Sequence, residues 1–353
     1  MNLSVIDTYT YPAEVKWQLD QNNIEEHVIL ANKLNKDSLI TGAMIQHEYG
    51  IYGGLDGENI LSFINNFKKP IVVTLHTVLP NPSEHMRSTT SHIIKRANVV
   101  VVLTESSKKI LLQVYPESTN KVHVIPHGIH QTQFEDTTRA KKRLELENKT
   151  VFSTFGLLSR GKGIEYVINA LPKIIEKDPS VVYLVLGETH PLIRRHEGES
   201  YRKELEELVT NLQLKKYVKF YDQYLSVRDL IEFLKATDIY ISTSINPDQA
   251  VSGTLSYALG VGRAVISTQF AQAKEIVTSE VGRLVPIKDS GAYTSTLSEL
   301  LNNRELLKSM NKKAYDQTRP MLWSNVAGKY SKLLQQNIRP PINLAHLKKM
   351  TDS

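Results

Sequence analysis

Two periodicities alternate along the chain. From Val151 onward the runs VFSTF, VVYLVL, YVKFY, DIYIST, AVIST and GRLVP are short, β-branched and bounded by polar or glycine positions, as buried strands are. Between them, Ile164, Val167, Ile168, Leu171, Ile174 and Ile175 fall on one face of a helix, and Tyr201, Leu205, Leu208 and Leu212 on one face of another. Parallel strands need a crossover connection, and each crossover helix must bury its apolar stripe on the sheet. The alternation therefore predicts an α/β domain with a doubly wound parallel sheet.

The N-terminal half repeats the pattern with GAMIQH, PIVVTLH, NVVVVLT and KVHVIPHG, separated by helical stretches at 57–68, 84–97 and 105–114. The expected organisation is two Rossmann-like domains, 1–135 and 148–318, facing each other across a cleft. The polar stretch GIHQTQFEDTTRAKKRLELENKT places a linker near 130–148. After Pro320 the pattern predicts a closing helix, 319–336, that returns to the first domain, followed by a basic, proline-interrupted tail, 337–353.

The composition agrees. A chain of 353 residues suits two cores, and 41% hydrophobic with 23% charged residues excludes disordered, collagen-like and coiled-coil classes. The absence of cysteine excludes disulfides, a thiol nucleophile and thiolate metal sites, and fits a cytoplasmic setting. No apolar run approaches the roughly 18 residues of a membrane span. The opening MNLSVIDTYTYP lacks the basic-then-apolar order of a signal peptide. A net charge of +6 favours anionic partners. No basic run is interleaved with aromatic residues, so nucleic acid is not expected; phosphorylated small molecules, or a peripheral contact with an anionic membrane, fit the charge.

Candidate chemistry concentrates at two strand-to-helix turns. In STFGLLSRGKGIEYVINAL, Gly161 and Gly163 allow close backbone approach while Arg160 and Lys162 supply positive charge ahead of a helix N-terminus. A glycine turn with solvated cations is the alternative reading. In ISTSINPDQAVSGTLSYALGVGRAVIST, Ser252 is placed to cap a second helix whose N–H groups would face the same edge. Two phosphate-competent turns on one domain predict a diphosphate ligand. No Asp-x-Asp or histidine cluster accompanies them, so neither a metal nor a cofactor is expected. In the first half, IQHEYGIYGGLDGEN follows a strand and points to Glu48, Tyr49, Gly53 and Gly54 on an acceptor side, with a flexible glycine loop as the alternative.

At this point the chain resembles a family-4 glycosyltransferase of the GT-B fold, the retaining, metal-independent group that transfers sugar from a nucleoside diphosphate donor. FGLLSRGKGIEYVINAL is similar to the family's donor-phosphate segment, with Lys162 on its diphosphate-binding lysine. AQAKEIVTSEVGRLVP is similar to the segment that ends the donor domain, with Glu275 on its glutamate. VVTLHTVLPNP resembles the strand end whose histidine approaches the transferred sugar, here His76. LWSNVAGKYSKLL, around Trp323, resembles the closing helix. The resemblance implies a hexose moved from a nucleotide sugar to a saccharide acceptor, with His76, Asp248 and Lys162 catalytic. Arg160, Gly161, Gly163, Gln249, Ser252, Gly253, Thr254, Ser256, Glu275 and Tyr224 would contact the donor.

The chain departs from the family at three points. The family's two glutamates, eight residues apart, are here Asp248 and Ser256, and a serine cannot replace a carboxylate that grips a ribose diol. The arginine after the FG glycine is Leu157. No glycine occurs before Gly42, so a first βα unit with its glycine-rich turn is expected to be missing. These departures keep two alternatives open, a phosphorylase of the same fold that uses inorganic phosphate and a non-catalytic subunit.

Overall fold

The structure, a computed structural model, describes residues 11–338. The chain divides into two compact units, the first running to Pro126 and resuming at Ala327, the second His127–Val326.

In the first unit, α1 (Ile24–Lys36) precedes β1 (Ala43–His47), α2 (Ile60–Asn66), β2 (Ile71–Leu75), α3 (Glu84–Arg96), β3 (Val99–Val102), α4 (Glu105–Val114) and β4 (Val122–Val124). Every residue of β2 and β3 is buried, as continuous apolar runs are when helices cover both faces of a parallel sheet. Helix starts are set locally: the Ser83 and Thr104 side chains accept hydrogen bonds from the backbone of Met86 and Ser107. The strands are parallel in the order β1-β2-β3-β4. That order follows the chain without reversal among the described residues.

The second unit begins its sheet in the middle. After α5 (Thr137–Arg143) come β5 (Thr150–Phe155), α6 (Ile164–Ile175), β6 (Val181–Leu186), α7 (Pro191–Glu197), α8 (Ser200–Asn211), β7 (Val218–Tyr221), α9 (Val227–Ala236) and β8 (Ile239–Ser242). Then follow α10 (Gly253–Gly260), β9 (Ala264–Thr268), α11 (Ala271–Ile276), β10 (Gly282–Val285), α12 (Ser290–Leu301) and α13 (Arg304–Thr318). The parallel order is β10-β9-β8-β5-β6-β7, so the direction of winding reverses between β5 and β8. Ligands of open α/β sheets bind beyond the strand ends at such a reversal. Here the loops at that point are 156–163 and 243–252, the two turns singled out by sequence.

Residues 130–148 fold with the second unit. Ala140 of α5 shares an apolar cluster with Phe233 and Ala236 of α9, and Lys141 Nζ lies 2.6 Å from Asp238. The buried Arg263 guanidinium donates to the Glu135 carbonyl at 2.8 Å and to the carbonyls of Lys235, Thr237 and Val261. One side chain thus ties the ends of α9 and α10 to the incoming chain. The last helix, α14 (Trp323–Ile338), starts in the second unit and continues into the first. Most of the tail 337–353 lies outside the described residues.

Candidate functional site

The two turns of the second unit are packed on each other. Ile245 N–H donates to the Gly161 carbonyl at 3.0 Å. Gly163 has φ +63°, and a Cβ there would stand 2.6 Å from Ile245 Cγ2 and 2.9 Å from the Thr243 carbonyl oxygen. Only glycine satisfies both constraints. The turn contains a short 3₁₀ segment, Arg160–Lys162, which sends the two cations in different directions.

Arg160 turns outward. Its guanidinium makes a two-pronged pair with Glu204 at 2.5 and 2.6 Å, which is why its pKa is raised. Lys162 turns inward. Burial lowers the pKa of its ammonium, and no hydrogen bond or ion pair holds Nζ among the described residues. Nζ lies 3.3 Å, and Thr254 Cγ2 3.4 Å, from the point a Cβ on Gly156 would occupy, so the ammonium and the first turn of α10 converge over the end of β5. A desolvated cation without a counter-charge is costly, and an anion bound there would compensate it.

The helix openings differ from each other. At α6, the Ile164 N–H is taken by Tyr201 Oη at 3.0 Å, and Tyr201 in turn donates to Glu165 at 2.6 Å. A carboxylate so close makes that opening a poor anion site. At α10, Ser252 caps the helix by accepting from Leu255 N–H at 3.2 Å, while its own N–H is given to Gln272 Oε1. The N–H groups of Gly253 and Thr254 have no acceptor among the described residues. Of the three residues expected to contact the donor here, Ser252 thus has its amide occupied, and the free N–H groups are those of Gly253 and Thr254.

The other donor-side candidates are spread around this point. Asp248 is exposed on the 243–252 loop, where its N–H closes a turn on Asn246 Oδ1 at 3.0 Å. Gln249 donates to the Val251 carbonyl at 3.0 Å. Gly161 is exposed. Ser256 is fully buried: its hydroxyl donates to the Ser252 carbonyl at 3.1 Å and accepts from Gln272 Nε2 at 3.3 Å. Gln272, absent from the sequence-derived set, therefore fills the space behind the cap. Glu275 is exposed on α11, and Tyr224 is 80% exposed beyond β7, whereas Tyr221 packs edge-on against Phe233 at 4.9 Å.

In the first unit, His76 follows β2, its N–H bonded to the His47 carbonyl at 3.0 Å and its Nε2 2.7 Å from Gln46 Oε1. Burial lowers its pKa, with Glu48 opposing. Glu48 accepts from Thr77 Oγ1 at 2.7 Å and from Tyr49 N–H at 3.0 Å, and Tyr49 Oη pairs with Thr90 at 2.8 Å. Gly53 and Gly54 pack against Gln21 and Asn59. His47 is buried beside Tyr52 and Tyr49, its pKa lowered to about 4 by burial and then by His76, so it stays neutral. Among the described residues, no three carboxylate or imidazole side chains group to hold a metal ion, and no helix is long and apolar enough to cross a membrane.

The family model described as "Glycosyl transferases group 1" matches residues 135–317, and the one described as "Glycosyltransferase Family 4" matches 54–133. An uncharacterized glycosyltransferase of Methanocaldococcus jannaschii is 22% identical over 299 residues, covering 73% of this chain and 67% of the relative. The Anabaena protein HepE, crystallised with UDP, superposes with a TM-score of 0.71 at 18% identity over 88% of this chain and 82% of its own. Sucrose-phosphate synthase from Thermosynechococcus elongatus gives 0.74 at 18% identity over 89% and 77%. At such identity the two structures speak for the fold.

Proposed function

We propose a function from one premise: the chain belongs to the glycosyl transferases group 1 family and has the GT-B fold. It is a glycosyltransferase, and we infer that it is a retaining one that moves a hexose from a nucleoside diphosphate sugar to a saccharide hydroxyl. The observation that carries this reading is the unpaired Lys162 ammonium beside the free N–H groups of Gly253 and Thr254. The UDP bound to HepE supports the same ligand class here.

In the proposed reaction the bond between the sugar C1 and the diphosphate oxygen breaks, and negative charge grows on that oxygen. Lys162 and the two amides meet charge that is larger in the transition state than in the bound donor, which is what lowers a barrier. The acceptor hydroxyl bonds to C1 on the face the diphosphate leaves, and its proton passes to the departing phosphate oxygen. Asp248 orients the donor sugar, and His76 takes a hydrogen bond from a substrate hydroxyl. No metal or cofactor enters this scheme. The setting we infer is cytoplasmic synthesis of a polysaccharide, with peripheral contact to an anionic membrane.

Ser256 favours a second reading. Sealed against Gln272, it presents no carboxylate to a ribose, as suits a phosphorylase whose anion is inorganic phosphate. A panel of UDP- and GDP-hexoses with saccharide acceptors, read by nucleotide release and by NMR of the product anomer, separates the two. Nucleotide release with a retained anomer supports the transferase. Sugar phosphate formed from a saccharide and phosphate, without nucleotide, supports the phosphorylase. No turnover in either assay counts against both and for a non-catalytic subunit.

A further inference from the structure

At the C-terminal ends of β1 and β2, four polar side chains of the first unit form one line of hydrogen bonds. Tyr330 Oη, on α14, lies 3.1 Å from Thr74 Oγ1. Gln46 Nε2 donates to the same Thr74 oxygen at 3.4 Å, and Gln46 Oε1 stands 2.7 Å from His76 Nε2. Thr74 is fully buried, and burial raises the pKa of Tyr330, so its phenol keeps its proton. The separation of 2.7 Å is at the short end for an N–H donor against a carbonyl oxygen. A carbonyl oxygen only accepts, so this contact is a hydrogen bond when the neutral imidazole carries its proton on Nε2, which leaves the bare lone pair on Nδ1. Nδ1 has no partner among the described residues.

We propose that Gln46 is a positioning residue: its side-chain carbonyl holds His76 in the Nε2–H tautomer, so the ring meets substrate through Nδ1 as an acceptor from a hydroxyl. The inference rests on the role given to His76 in the transfer reaction. It makes the histidine neither a proton donor nor a phosphate ligand while the ring is neutral. The charged and titratable groups around it are Glu48, which favours the imidazolium, and His47, which stays neutral. Protonation would turn Nδ1 into a donor and remove the acceptor, so activity should fail only below the ordinary histidine range, since burial lowers the His76 pKa.

The experiment is ¹⁵N NMR of the imidazoles in the full chain, with His76 assigned by its disappearance in His76→Gln, alongside kinetics of two Gln46 variants. The expected result is an exchange-protected Nε2–H signal from His76, kept in Gln46→Glu and lost in Gln46→Met. Gln46→Met is expected to lower kcat severalfold with the donor KM unchanged. Gln46→Glu should restore kcat and move the acid limb of the pH profile upward, because a carboxylate favours the imidazolium. A proton on Nδ1 in the wild type, or an unchanged His76 signal in Gln46→Met, overturns the proposal and leaves the transferase reading standing. Wild-type transfer by His76→Gln removes the role of His76, and that of Gln46 with it, whatever the tautomer.

Discussion

The ammonium of Lys162 stands over Gly156. A Cβ at Gly156 would lie 3.3 Å from Nζ, and the residue has φ +128°, a conformation L side chains rarely adopt. Gly156→Ala should therefore strain the end of β5 by about 1–3 kcal/mol and push Nζ off its position beside α10. We expect a folded protein by circular dichroism whose affinity for UDP is at least about tenfold weaker, since about 1.4 kcal/mol of lost interaction suffices. Unchanged UDP affinity in a folded variant would separate Gly156 from the anion site.

Restoring a carboxylate at position 256 should not help. Ser256 is fully buried with its hydroxyl bonded on both sides, so Ser256→Glu must force a larger, charged side chain into filled space. Overpacking of this kind costs about 1–3 kcal/mol, before any penalty for burying charge. The expected outcome is a lower midpoint in urea and no gain in nucleotide affinity by titration calorimetry. A tighter-binding Ser256→Glu protein would mean that Gln272 yields the space.

Binding of a diphosphate should be linked to proton uptake. Burial lowers the Lys162 pKa in the free protein, and a bound anion favours the charged ammonium and raises it. Between those two values binding takes up a proton, so affinity falls as pH rises through the window. For the free protein the sign is opposite: the unfolded chain holds the proton more tightly, and stability rises with pH between the lowered folded pKa and the ordinary lysine value of the unfolded chain. Calorimetry in buffers of different ionisation heat should report net uptake for the wild type and none for Lys162→Met.

Arg263 should be worth more to stability than any exposed ion pair. Its guanidinium, whose pKa burial pulls down to about 10, serves carbonyls of Glu135, Lys235, Thr237 and Val261. Arg263→Met leaves those acceptors without their charged donor in the interior, at a cost of about 3 kcal/mol or more. Urea unfolding followed by tryptophan fluorescence and circular dichroism checks this. A loss below about 1 kcal/mol would mean that water replaces the guanidinium.

The strands were legible because parallel sheets bury their strands on both faces, which leaves uninterrupted apolar runs such as VVYLVL (Val181–Leu186). Helix faces were legible for the same reason, as Ile164, Val167, Ile168, Leu171 and Ile174 are all buried. The two turns could be paired from sequence because each joins a strand to a helix. What sequence did not disclose is where polar side chains find their partners. Arg160 and Lys162 look equivalent in the string SRGKG; Glu204 on α8 draws one outward, while the other, half-buried, reaches over Gly156. Gln272 behind Ser252 and Ser256, Tyr201 on the opening of α6, and Gln46 beside His76 are contacts between residues far apart in the chain. No local pattern encodes such contacts. The stretch 130–148 read as a linker because it is polar, yet Arg263 and Asp238 fasten it to the second unit from within.

The most direct measurement is titration calorimetry of UDP, GDP and inorganic phosphate against the wild type and Lys162→Met. If Lys162 and the amides of Gly253 and Thr254 form the diphosphate site, a nucleoside diphosphate binds the wild type, and the substitution weakens it by about tenfold to a hundredfold, the worth of one charge-assisted hydrogen bond. Equal affinity of the two proteins for the nucleotide would contradict the account.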